Sequence, residues 1–115
     1  MLTLPRARII KRRADFQRVY HAGRSAACRY FVLYTMQDEK LAGKVGFAAG
    51  KKLGCAAVRN RVKRLLRECY RLHQDDLKGG IAVLLVGRKA MAEAKCQDVE
   101  RAYLSLGKQM GVFRA

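Results

Sequence analysis

Between Lys51 and Arg71 the chain reads KKLGCAAVRNRVKRLLRECYR, with eight basic residues and one acid. Valine and leucine interrupt the cations at intervals of three and four, the spacing of one helix face. At about 100° per residue with Val58 at zero, Val62, Leu65, Leu66, Cys69 and Leu72 fall between about −40° and +80°. Arg59, Asn60, Lys63, Arg64, Arg67 and Arg71 fall between about 100° and 240°. The spacing therefore predicts a helix over 56–73 with an apolar stripe that must bury and an opposite face that is almost wholly cationic. A helix of this kind is stable only with another layer under its stripe, which points to a layered fold. Arg61 stands apart, at about 300° beside Glu68. It is expected to use Glu68 or a backbone carbonyl as partner and to be partly structural.

A charged helix face is ordinarily just solvated, but such faces mix signs to avoid repulsion one turn apart. Here Arg59, Lys63, Arg67 and Arg71 form a ladder of like charges at i, i+4. Such a ladder costs helix stability unless anions lie along it. Arginine predominates, and its planar fork suits bidentate contact with phosphate. Lys51 and Lys52 lie between Gly50 and Gly54 just before the helix, where backbone amides and dipole favour an anion. The pattern is not GxxxxGK[ST], so a nucleotide P-loop is not supported.

The whole chain repeats this bias. Its 115 residues carry 25 Lys and Arg against nine Asp and Glu, a formal net charge of +16. A domain so charged repels itself unless a polyanion relieves it. Nucleic acid is the first candidate and an anionic membrane surface the second. No apolar run approaches the roughly 20 residues needed to span a bilayer. The opening MLTLPRARIIKRRADF lacks the apolar stretch of a signal peptide. Its arginines suit a transit peptide better, but it runs straight into an expected helix, so the cytoplasm is the expected location. Cys28, Cys55, Cys69 and Cys96 never form CxxC, and His21 and His73 are isolated. Free thiols in a reducing compartment are expected, and no metal site.

The length fits one domain, 1–115, with a basic arm over 1–13 that carries Arg6, Arg8, Lys11, Arg12 and Arg13. A helix is expected from Ala14 to Ala22, closed by Gly23, with Phe16, Val19 and Tyr20 on one face. CRYFVLYTM, Cys28 to Met36, has strand composition. KVGFAAG, Lys44 to Gly50, alternates: Val45, Phe47 and Ala49 on one face, Lys44, Gly46, Ala48 and Gly50 on the other. A face of Gly and Ala admits close approach by a packed helix or a ligand chain. IAVLLVG, after DDLKGG, suits a strand buried on both faces. Ala92, Cys96, Val99, Tyr103, Leu106 and Met110 mark a last amphipathic helix. The order is α-β-β-α-β-α, with an extra short strand near Ala26. This is an α+β or two-layer α/β sandwich with a mixed sheet.

The aromatic residues favour RNA over DNA. On the first long strand Tyr30, Val32 and Tyr34 share one face and Phe31 and Leu33 the other. With Phe31 and Leu33 in the core, the tyrosines face out beside cations. Exposed aromatic rings stack unpaired bases, at about 1–3 kcal/mol per base. Phe16 and Tyr20 join them if the first helix packs on that side, although core packing explains Phe16 equally well. An aromatic floor with a cationic wall fits a single strand better than a duplex.

VRNRVKRLLRE, together with DFQRVYHAG and GKKLGCAAVRNR, resembles the protein subunit of bacterial ribonuclease P. The likeness spans roughly Lys11 to Gly107 in order and spacing. It implies a sandwich like ribosomal protein S5 domain 2, with a left-handed βαβ crossover that periodicity cannot reveal and the usual handedness rule disfavours. It also implies that Arg59, Asn60, Arg61, Lys63, Arg64 and Arg67 contact the catalytic RNA; Arg71, Lys51 and Lys52 extend that surface by position. A central cleft for the single-stranded 5′ leader of precursor tRNA is implied at Phe16, Tyr20 and Tyr34, with Lys63 on its rim. The family commonly has Ser-x-Ser-Lys-Lys where this chain has Ala48-Ala49-Gly50-Lys51-Lys52, and asparagine where it has Cys55. Two hydroxyls that could hydrogen-bond to backbone or RNA on that strand are therefore absent here.

In the resembled family the RNA performs the hydrolysis with Mg²⁺ held largely by RNA groups. No paired carboxylates, Ser/His/Asp arrangement or metal-ligand spacing in this sequence suggests otherwise. The expected role is an accessory subunit without catalytic residues, a monomer bound one-to-one to the RNA, away from membranes. A ribosomal or other structural RNA-binding protein is the alternative. A protein-only nuclease would cleave without added RNA. A helix-turn-helix DNA binder lacks its preceding helix and short turn.

Overall fold

A computed structural model describes residue 4 and residues 6–114 of the chain. Its ordered elements are α1 (Arg13–Ala22), β1 (Arg24–Ala27), β2 (Phe31–Gln37), β3 (Val45–Ala49), α2 (Ala56–His73), β4 (Ile81–Gly87) and α3 (Cys96–Met110), with one-turn 3-10 segments between them. The four strands form one mixed sheet in the order β1-β2-β4-β3. β2 runs antiparallel to β1 and β4, while β3 and β4 are parallel neighbours joined through α2.

Strand alternation gives the sheet two unequal faces. Phe31, Leu33, Val83 and Leu85 point to one side, where α2 and α3 cover them with Val62, Leu66, Val99, Tyr103 and Leu106. Ala82 and Leu84 point to the other, where Val19 of α1, Ile10 and Leu41 form a much smaller cluster. β4 serves both, and so its run is apolar without alternation.

Three expectations need correction. β2 begins at Phe31, not Cys28. The amide of Cys28 donates to Phe31 O at 2.9 Å, which makes residues 28–31 the turn of the β1–β2 hairpin. Tyr30 therefore leaves the face of Tyr34 and packs against the larger core, with the Arg29 guanidinium 5.9 Å from its ring centre. The last helix starts at Cys96, so Ala92 precedes it in a separate 3-10 turn. The Asp98 carboxylate accepts the Lys95 amide at 3.4 Å and marks the break. Gly23 ends α1 in extended conformation (φ −75°) rather than left-handed. Space is what calls for glycine there: a Cβ would stand 2.5 Å from Val19 O and 2.9 Å from Thr35 O.

The described part of the basic arm is docked. Ile9 bridges Val45, and the Ile10 amide donates to Val45 O at 2.8 Å. Arg8 Nη1 donates to Oε1 of the buried Gln74 at 2.8 Å, tying the arm to the end of α2. Residues 1–3 and 5 of the arm lie outside the described residues.

Candidate nucleic-acid interface

α2 forms where its sequence predicts, but its stripe is rotated. Val62, Leu66, Cys69 and Tyr70 are the buried residues, while Leu72 is 37 % exposed. Tyr70 turns inward because β3 offers it a partner: its ring meets Phe47 edge-on with centres 6.0 Å apart. Burial raises the Tyr70 phenol to about 12.

That rotation brings part of the cationic ladder against the outer edge of β3, beyond the end that the basic arm occupies. Arg59 Nε donates to Ala49 O at 3.2 Å. Two turns on, the Arg67 guanidinium carbon lies 5.7 Å from the Phe47 ring centre, a cation–π contact. Lys63, between them in the ladder, is half-buried. The ladder thus follows the strand, with Asn60 and Arg64 exposed beside it. Arg71 is held by Glu68, its Nε donating to Oε2 at 3.0 Å. That hydrogen bond pulls the Glu68 carboxyl below its ordinary range, so the distal end of the ladder is partly neutralised. Arg61 turns the other way. Its guanidinium donates to Ala92 O and, at 3.1 Å, to Ala94 O, pinning α2 to the segment before α3. The expected backbone partner is present, and Glu68 pairs with Arg71 instead.

Lys51 and Lys52 stand exposed in a single 3-10 turn before α2. Gly54 follows at φ 132°, a conformation that L side chains rarely adopt. Cys55 occupies the N-cap of α2. Its exposed thiol faces the amides of Val58 and Ala57, which lower its pKa. Nothing in the residue pattern singles out this thiol; its N-cap position does.

The second surface lies across the sheet. Phe16 and Tyr20 descend from α1 and Tyr34 rises from β2 on the same side. Phe16 rests over Gly46, where an added Cβ would come 3.4 Å from its ring and 3.0 Å from Leu84. The small-residue face of β3 thus receives a packed helix, the simpler of the two expected partners. Tyr20 and Tyr34 bring their ring centres within 5.0 Å at 32°. Burial first, and then the hydrogen bond to Tyr20, raise the Tyr34 phenol above its ordinary value. His21 stands edge-on to Tyr20 at 5.2 Å, its Nε2 2.9 Å from Gln17 Oε1.

The register leaves one row of the α1 face partly open. Tyr34, Leu84 and Gly46 form one row across three strands, and Leu84 beneath α1 is fully buried. The next row, Val32, Val86 and Ala48, is only half-buried. This partly open row lies beside Tyr34, an apolar floor next to an aromatic wall. Phe16, Tyr20 and Tyr34 are therefore brought together. Lys63 is not with them: it sits on α2, which packs on the opposite face, and can flank the groove only around the β3 edge.

Among the described residues no three His, Cys, Asp or Glu side chains gather as a metal site. No described helix is long and apolar enough to cross a membrane.

Comparison with known proteins matches the chain to one family. The family model for Ribonuclease P covers residues 4–111. The ribonuclease P protein component of Natranaerobius thermophilus is 37% identical over 100 residues, 87% of each chain. That of Clostridioides difficile is 33% identical over 108 residues, 93% of this chain and 95% of its own. The Staphylococcus aureus RNase P protein superposes with a TM-score of 0.83 at 31% identity, covering 95% of this chain and all of the other. The Thermotoga maritima protein gives 0.74 at 25%, over 87% and 94%. The chain belongs to the ribonuclease P protein component family, the accessory protein subunit of a tRNA-processing endoribonuclease that works with the ribonuclease P RNA.

Proposed function

We propose that the two surfaces divide the work: α2 holds the catalytic RNA, and the groove beneath α1 holds the single-stranded 5′ leader of precursor tRNA. The observation that carries this reading is the separation of the two surfaces. The cationic ladder lies on the α2 side, whereas the aromatic cluster and the open row Val32–Val86–Ala48 lie on the α1 side. A phosphate clamp alone would need no aromatic groove.

Arg59, Asn60, Lys63, Arg64 and Arg67, with Lys51 and Lys52, meet phosphates of the RNA subunit and release counterions. Arg61 and Arg71 shape that surface through their protein partners. Phe16, Tyr20 and Tyr34 offer ring faces and edges to leader bases. Mature tRNA lacks a leader, so binding energy from the groove favours substrate over product. The magnesium of the reaction is assigned to the RNA subunit in this reading. The protein acts in the cytoplasm as one copy per RNA.

The test is single-turnover cleavage of precursor tRNA by a bacterial ribonuclease P RNA at low Mg²⁺, with and without the protein, on long and very short leaders. Rescue that grows with leader length supports both surfaces. Rescue independent of leader length removes the groove assignment. Tight RNA binding without rescue would make the chain a structural RNA-binding protein, and cleavage by the protein alone would make it a nuclease.

A further inference from the structure

α1 has ten residues, too few to be stable alone in water. Val19 is its one buried residue, so its position over the sheet rests on few contacts, and one of them is an ion pair. An Nη of Arg18 lies 2.8 Å from Asp38 Oδ2. That Nη and Nε of Arg18 are closed off from solvent without a hydrogen bond of good angle, so attraction to Asp38 is what offsets their desolvation. Asp38 is anchored in turn: Oδ1 accepts the amides of Lys40 at 2.8 Å and Leu41 at 3.1 Å. The turn seats Leu41 in the small core that also holds Val19. One carboxylate thus fixes a turn with one oxygen and a helix with the other. Phe16 and Tyr20 lie two residues to either side of Arg18, on the opposite face of α1, so the pair grips the helix from behind the groove.

We propose that the Arg18–Asp38 ion pair sets the discrimination between precursor and mature tRNA without touching RNA. It does so by fixing the height and rotation of α1, and with them the spacing of the Phe16, Tyr20 and Tyr34 rings. Both are positioning residues, and the proposal rests on the leader-groove reading above.

The experiment uses holoenzyme assembled with Arg18→Met, Asp38→Asn or both, with Tyr34→Ala as the groove control. Asp38→Asn keeps an oxygen for the 38–41 turn and replaces the charged acceptor facing Arg18 with a neutral NH2 donor. Affinity is measured for leader-bearing precursor and for mature tRNA, and amide hydrogen exchange is followed in the free protein. Each single change should weaken precursor binding about 3- to 10-fold and leave mature tRNA alone, and the double change should be no worse than the more damaging single one. Exchange should quicken over residues 13–22 and stay unchanged in α2. Additive losses, equal losses on mature tRNA, or a uniform rise in exchange would overturn the proposal in favour of general destabilisation. Unchanged precursor affinity alongside a sensitive Tyr34→Ala would overturn the ion pair's role and leave the groove standing. An insensitive Tyr34→Ala would overturn the groove reading and this proposal with it.

Discussion

The two faces of the sheet are built on different scales. Among the described residues the α2–α3 side buries a cluster of 19 and the α1 side a cluster of five. The larger side closes over Tyr103, Phe31 and Leu66 and turns the exposed cations of α2 outward. The smaller side keeps its rings partly uncovered, with Tyr20 43 % exposed. In the proposed reading, stability and recognition are thus separated by one sheet, so the α1 side can stay partly open without loss of the fold.

Alkaline pH should break the comparison most strongly. Burial raises Cys69 and Tyr70, both on the larger side, from 9.0 and 10.0 to about 12. Raised pKa values favour the neutral forms in the folded state. Their contribution is therefore fully present below about pH 9 and lost as pH climbs towards 12, on the order of several kcal/mol. Thermal melts across that range should fall steeply, and a flat profile would show those side chains to be accessible.

Leu66→Ala comes next. It should cost about 2–5 kcal/mol in denaturant unfolding, whereas Val19→Ala on the smaller side should cost less because fewer neighbours surround it. Equal losses would make the α1 side as much a part of the stable core as the other.

The two surfaces should then respond in opposite ways to mutation. Tyr34→Ala should weaken leader-bearing precursor by about 1–3 kcal/mol at little cost in stability. Arg67→Ala should leave leader dependence intact and reduce the log-affinity versus log-salt slope for the RNA subunit by about one phosphate. Both variants behaving alike would erase the division. The smallest effect is chemical: the lowered pKa of Cys55 and the raised pKa of Cys69 should make Cys55 the faster of the two to be alkylated at neutral pH. Mass-spectrometric mapping over time gives the order.

Much of this architecture is legible in residue order. α2 runs Ala56–His73 and β4 runs Ile81–Gly87, the spans predicted from periodicity and composition. Both are long enough for their pattern to dominate local accident. The turn at 28–31 is hidden because Arg29 and Tyr30 have strand composition, and only pairing with β1 exposes the bend. Tyr70 takes the place of Leu72 because a helix stripe is centred by what it packs on, here Phe47, and sequence angle alone does not know the partner. Helix and strand phase put Phe16 with Tyr20 and set the face of Tyr34, but that α1 packs on that face is tertiary information, which the sequence pattern leaves open. The Arg18–Asp38 pair and the seat of Ile10 join distant segments, so no local pattern announces them.

The cationic ladder also governs how copies of the protein meet one another. β3 is an edge strand, and open edges invite strand-to-strand aggregation. One end of this edge is taken by Ile10 on Val45 O and the other by Arg59 on Ala49 O. Between them Lys63 and Arg67 flank the strand, so a second copy approaching edge to edge would bring like charges together. The residues that would draw in a polyanion therefore also act as colloidal guards, and the guard is lifted only when something negative lies along the strand.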